Sequence, residues 1–104
     1  QNLTRCESAF HALEAWSLTD WACAMAGEAG EACNVVKKLR RLEPSSPASN
    51  RDPEDQLRKD LADEIAALVI YADLLAARAG INLGKAVRDK FNAVSDRVGS
   101  DVKL

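Results

Sequence analysis

Apolar positions recur at steps of three and four through most of this chain, the spacing that lines one face of an α-helix. In residues 17–42 the series is Ala22, Met25, Ala29, Ala32 and Val36. In residues 53–79 it is Leu61, Ile65, Leu68, Ala72 and Leu75, and in residues 83–98 it is Val87, Phe91, Val94 and Val98. An opening helix over residues 3–16 completes four. The punctuation agrees with these spans. Ser17 and Asp20 have the form of a capping box, with Asp in place of the usual Glu. Asp52 before Pro53 is an acidic cap followed by proline at the first helical position. Gly80 and Gly99 stand where helices end, and Asn82 where one begins. The polar, proline-bearing run of residues 43–51 reads as a loop. The expected fold is all-α, bundle-like and antiparallel, with four helices in a single domain over residues 1–104. Ile70 and Leu74 give the third helix a second apolar side, which predicts a partner surface, most simply another copy of the chain.

Composition narrows the chemistry. Hydrophobic residues make up 47% of the chain but aromatics only 5%, a balance that suits close-packed helices rather than sheets. A formal net charge of −2 provides no general attraction to nucleic acid or to an anionic membrane. No run approaches the ~20 apolar residues of a membrane span, and no signal peptide opens the sequence. Cys6, Cys23 and Cys33 are odd in number and lack paired spacing, so the expected setting is reduced and cytoplasmic, and with His11 alone a zinc site is not expected. The first residue is Gln1 rather than Met, and residues ahead of it are expected.

The acids carry the functional signal. Each residue turns a helix by about 100°, so Glu28 falls about 60° and Glu31 about 120° to one side of Met25. On the third helix Glu64 falls about 60° to the same side of Leu61, and position 67 about 120°. The two segments thus present one geometry twice, except that position 67 is Ala67. Asp60 lies on the same flank, and Asp63 further out. Carboxylates on facing helices are how a bundle holds a divalent cation, and Mg²⁺ takes a few such oxygens together with substrate phosphates. Lys38 follows Glu31 by two turns on the same flank, and Lys90 and Arg97 share a flank of the fourth helix, where they could steady phosphates. Trp16 and Trp21 could stack on a base, although a tryptophan at a helix junction is more often core. No glycine-rich phosphate loop is present.

At these residues the chain resembles the all-α nucleoside triphosphate pyrophosphohydrolases of the MazG-like group, and within it the small single-domain type from phages and mobile elements. The segments that carry the likeness are Ala26-Gly27-Glu28-Ala29-Gly30-Glu31-Ala32, Lys37-Lys38, Asp63-Glu64-Ile65-Ala66-Ala67-Leu68-Val69-Ile70-Tyr71, and the tail from Gly80 to Arg97. They cover roughly residues 20 to 99. The group's pattern is EExxE followed by ExxD. Gly27 replaces its first acid, and with Tyr71 fixing the register the ExxD aspartate falls on Ala67; an alternative register pairs Asp60 with Asp63. The resemblance implies Mg²⁺-dependent cleavage (Mn²⁺ as a substitute) of an NTP or dNTP to the monophosphate and pyrophosphate, clearing nucleotide pools. It implies Glu28, Glu31 and Glu64 as metal ligands and catalytic residues, with Ala67 as an impaired position. Lys38, Lys90, Asn92 and Arg97 would be substrate contacts, in a homodimer or dimer of dimers. The rival expectation is a non-catalytic nucleotide-sensing or helical dimerisation module.

Overall fold

A computed structural model describes the backbone of residues 1–42 and 51–104, with the side chains of all of these except residues 51 and 52. The expected loop over 43–51 therefore lies outside the described residues, apart from Arg51, and so does the side chain of the expected cap, Asp52. The described chain forms α1 (Asn2–Ala9), a single 3-10 turn (Leu13–Ala15), α2 (Leu18–Leu42), α3 (Arg51–Arg78) and α4 (Leu83–Val98). It is all-α.

The helix ends follow from local chemistry. The Ser17 backbone N–H donates to the Asp20 carboxylate at 2.9 Å, and the Asp20 N–H returns a bond to Ser17 Oγ at 3.1 Å. That reciprocal box opens α2, and the Ser17 N–H holds the Asp20 carboxyl below its ordinary range. Gly80 and Gly99 take left-handed backbone, with φ of 72° and 73°. At each, the next residue's N–H reaches back five residues to a helical carbonyl: Ile81 to Ala76 at 2.8 Å and Ser100 to Ser95 at 2.8 Å. These are Schellman closures, which end a helix by satisfying its last carbonyls. Asn82 Oδ1 accepts from the Lys85 N–H at 3.0 Å and starts α4.

Two expectations are corrected at the N-terminal end. The opening helix stops at Ala9 rather than continuing to residue 16. The N–H groups of Phe10 and His11 both fold back to the Cys6 carbonyl, at 3.0 Å each, and the chain then turns inward so that Leu13 is buried. The second apolar side of α3 is not free either. Leu74 is buried with Cys6, Leu13 and Trp21, and Ile70 is half-buried, because α1 and the 3-10 turn cover that side.

The fourth helix departs furthest from the bundle. α2 and α3 pack along each other, with α1 and the 3-10 turn against α3, whereas α4 touches only α3 among the described elements. The chain measures 49 × 43 × 22 Å with a radius of gyration of 17.8 Å. A compact chain of this size has about 13 Å. A helix pair of this length is about 40 Å long and about 20 Å wide, so the second dimension requires α4 to stand out sideways as an arm.

Candidate functional site

The seam between α2 and α3 positions the site. Trp21, buried, lies across from Tyr71 with ring centroids 6.2 Å apart, and the carboxyl of Glu28 hydrogen-bonds that of Glu64. From Trp21 to Glu28 is seven residues forward on α2, and from Tyr71 to Glu64 seven residues back on α3. The helices are therefore antiparallel and in register, with the carboxyl pair about 10 Å along from the aromatic pair. By that register Met25 and Ala67 form the layer between them.

This seam runs through the acids rather than beside them. Its α2 line is Trp21, Met25, Glu28, Ala32 and Val35, with Trp21 and Val35 buried, while Val36 is 49% exposed. On α3 it passes Leu61, Glu64, Leu68 and Tyr71, all half-buried, while Ile65 is 50% exposed. The expected core stripes thus sit rotated by a fraction of a turn. The cause is Trp21, whose large ring system is 2% exposed and turns α2 so as to bury itself. The same rotation brings Glu28 and Glu64 face to face.

The electrostatics follow from that meeting. Glu64 is raised above the ordinary glutamate range, first by its hydrogen bond to Glu28, then by burial, then by the charges of Glu28, Glu31 and Asp63. Glu31 and Asp63 are exposed and act on the pair at a distance. Asp60 is half-buried and accepts from Gln56 Nε2 at 2.7 Å. Among the described residues no group of three or more acids, histidines or cysteines stands close enough together to hold a metal ion. The donors fit Mg²⁺ in kind, since carboxylate oxygens are its usual protein ligands and one or two suffice beside substrate phosphates. The upward shift at Glu64 marks excess negative charge, which a proton or a cation would relieve.

Beyond Ala67 the seam opens into a cavity of about 350 Å³ lined by His11, Trp16, Trp21, Tyr71, Arg5 and Ala67, among others. His11 lies 4.9 Å from Trp16 and 5.6 Å from Trp21, and the two tryptophans are 4.6 Å apart, all tilted ring contacts. Trp21 Nε1 donates to the Leu13 carbonyl at 3.1 Å, which ties the 3-10 turn to α2 and fixes the cavity wall. Asn2 Nδ2 donates to the Ile70 carbonyl and to Asp73, pinning α1 across the opening. Such a cavity suits a flat aromatic ring, with the Arg5 guanidinium as a polar neighbour. From the sequence alone Trp16 and Trp21 read as base-stacking rings or, more often, as core, and Tyr71 was not joined to them. The available signal was the register: Tyr71 stands opposite Trp21 by the same step that sets Glu64 opposite Glu28.

The expected phosphate contacts are not gathered here. Lys38 is exposed and ten residues beyond Glu28, about 15 Å along α2. Lys90 and Arg97 are on α4, which does not contact α2 among the described residues. Asn92 has its amide engaged at both ends by the Leu104 backbone, accepting at 2.8 Å and donating at 3.4 Å. No described helix is long and apolar enough to cross a membrane. No protein-family model, curated protein or solved structure matches the chain, so its resemblance to the MazG-like group rests on the residues alone.

Proposed function

We propose that this chain is a nucleoside triphosphate pyrophosphohydrolase, impaired because Ala67 stands where an acid would complete its carboxylate set. The observation that carries this reading is the adjacency of two unlike features on one seam. A carboxyl pair suited to a phosphate-bound cation lies one layer from an aromatic cavity suited to a base, and Ala67 lines the boundary. A nucleotide joins those two chemistries at the same order of distance.

In this reading the base stacks among His11, Trp16 and Trp21, and the triphosphate extends along the seam towards Glu28 and Glu64. Glu28 and Glu64 are the residues that would hold Mg²⁺, or Mn²⁺ in its place, with Glu31 adding its charge from the exposed side. When bound, the cation neutralises phosphate charge and favours attack on phosphorus. The attacking water adds to the α-phosphorus, the bond to the α–β bridging oxygen breaks, and pyrophosphate leaves. The seam acids accept the proton released by that water. Without an acid at 67, nucleotide is held with one less repelling charge, and turnover is slow.

The decisive experiment measures pyrophosphate release from a panel of NTPs and dNTPs with Mg²⁺, in this chain and in its Ala67→Asp variant. Release confined to the variant supports the reading and names the substrate. Silence from both, with the variant folded and metal present, overturns it. Nucleotide binding without turnover in both favours a nucleotide-sensing module. A pure dimerisation module, the other reading, is favoured by the uncovered apolar face of α4 and predicts no nucleotide effect on melting.

A further inference from the structure

The aromatic cavity holds one ring nitrogen whose role the backbone fixes. His11 is half-buried, and its Nδ1 stands 2.9 Å from the carbonyl oxygen of Ala12. A carbonyl oxygen can only accept, so Nδ1 carries the proton and donates. In the neutral ring that leaves Nε2 with a free lone pair. The neighbouring acceptors are already served. The Ala12 carbonyl also receives the Ala15 N–H, the Leu13 carbonyl receives Trp21 Nε1, and the Ile70 carbonyl receives Asn2 Nδ2. Asn2 Oδ1 accepts from Arg5 Nη2 at 3.4 Å. The Tyr71 hydroxyl gives as readily as it accepts. Nε2 is therefore a pure acceptor of the cavity wall to which no described group donates. Donors come from Arg5, which is exposed, lines the same cavity and keeps N–H groups beyond the one turned to Asn2.

The geometry points to base selection by His11: its Nε2 accepts the exocyclic amino group of a 4-aminopyrimidine or 6-aminopurine, so the cavity takes cytosine or adenine and refuses their keto counterparts. This rests on the proposed reading of the cavity as a base site and adds which bases it admits. The rings of His11, Trp16 and Trp21 already touch, with centroids 4.9, 5.6 and 4.6 Å apart. A base therefore lies against this cluster rather than inside it. Because the three rings are mutually tilted, it meets ring edges as well as faces. In cytosine and adenine the amino group stands beside an unprotonated ring nitrogen, a donor next to an acceptor. His11 Nε2 and the Arg5 guanidinium offer the complement, an acceptor and donors. Uracil and hypoxanthine present a carbonyl beside a ring N–H instead, which sets an oxygen lone pair against that of Nε2. A buried polar group left unpaired in this way loses about 5- to 150-fold in affinity. With His11 only half-buried, the expected preference is about tenfold.

The test is calorimetric titration of the unaltered chain and of His11→Phe with dCTP, dUTP, dATP and dITP in Mg²⁺, together with ¹⁵N NMR of the imidazole. The unaltered chain binds dCTP more tightly than dUTP, and dATP more tightly than dITP, by about tenfold in each pair. His11→Phe keeps a ring but no nitrogen, and brings the members of each pair level. His11 is the only histidine in the sequence, so its two ring nitrogens are read without ambiguity. In the free chain Nε2 is the unprotonated one, and its resonance moves with dCTP but not with dUTP. Equal affinities within each pair overturn the inference and leave the hydrolase reading standing, as does a preference for the keto bases or one that survives His11→Phe. Failure to bind any of the four nucleotides overturns the hydrolase reading itself, and the inference with it. Should His11→Phe fail to fold, the imidazole decides: a proton on Nε2 in the neutral free ring, or equal shifts with dCTP and dUTP, overturns the inference.

Discussion

Glu28 and Glu64 meet carboxyl to carboxyl across the α2–α3 seam, in a line where every other layer is apolar or aromatic on at least one side. Two like charges brought this close cannot both ionise without cost. The helix pair therefore depends in this one layer on whatever neutralises the acids. At low pH that is a proton, and a cation would serve in its place.

Stability should track that dependence. Because Glu64 binds its proton more tightly in the folded chain than in an unfolded one, its contribution is full below the ordinary glutamate range. It is lost as pH rises through the raised folded value. Thermal melting followed by circular dichroism from about pH 4 upwards should show this layer weakening, and Glu64→Gln should flatten the profile. Added Mg²⁺ should raise the melting temperature of the unaltered chain at pH 7 and have little effect at pH 4. An identical pH profile in Glu64→Gln would show that the pair does not set the pH dependence of stability.

Ala67→Asp should have opposite effects on stability and on chemistry. A third acid beside Glu28 and Glu64 adds repulsion, so in chelator the variant should melt below the parent at pH 7, and Mg²⁺ should restore more of its stability than it gives the parent. Loss of outer partners alone costs a metal site about 10–100-fold in affinity or activity. Restoring a direct ligand should therefore raise Mg²⁺-dependent pyrophosphate release by at least that much. Matched titrations of melting temperature and turnover against Mg²⁺ check both effects in one series.

The all-α class, three of the four helices and the acid echo were legible because each has a local cause: a three-to-four spacing, a capping side chain, a glycine at a left-handed position. The rotation of the seam was not legible. Periodicity fixes an apolar arc only to within a residue, and Trp21 chooses the centre by burying its rings against Leu13, Leu74 and Cys6. The early end of α1 had no local signal either, since Phe10 and His11 break the helix to bring Leu13 into a core formed with residues some 60 positions away. Ile70 and Leu74 looked like a partner surface because sequence alone could not show that α1 folds over them. The position of α4 is a tertiary fact, which amphipathicity describes equally well for a bundle member and for an arm.

The helix stops should be separable from the site. Gly80 has φ of 72°, and a Cβ there meets nothing within 4 Å, so Gly80→Ala is strained in backbone alone. The expected loss is about 1–2 kcal/mol. Asn82→Ala removes the cap of α4, at a cost of about 1 kcal/mol where the helix contributes to folding. Urea denaturation of each variant against the parent chain measures the two losses.

The two tryptophans should divide by role although their rings touch at 4.6 Å. Trp21 is 2% exposed and anchors both the seam and the 3-10 turn, so Trp21→Ala should cost about 3–5 kcal/mol in stability. Trp16 is half-buried, and its backbone carbonyl, which any residue retains, accepts from Arg78 Nε at 3.0 Å. Trp16→Ala should therefore cost less in folding and more in binding, because stacking a base on an aromatic ring contributes about 1–3 kcal/mol. That amounts to a loss of nucleotide affinity of about 5- to 150-fold, read by the quenching of Trp21 fluorescence. If Trp16→Ala binds nucleotide as well as the parent does, the cavity is not where the base sits, and Trp16 is packing alone.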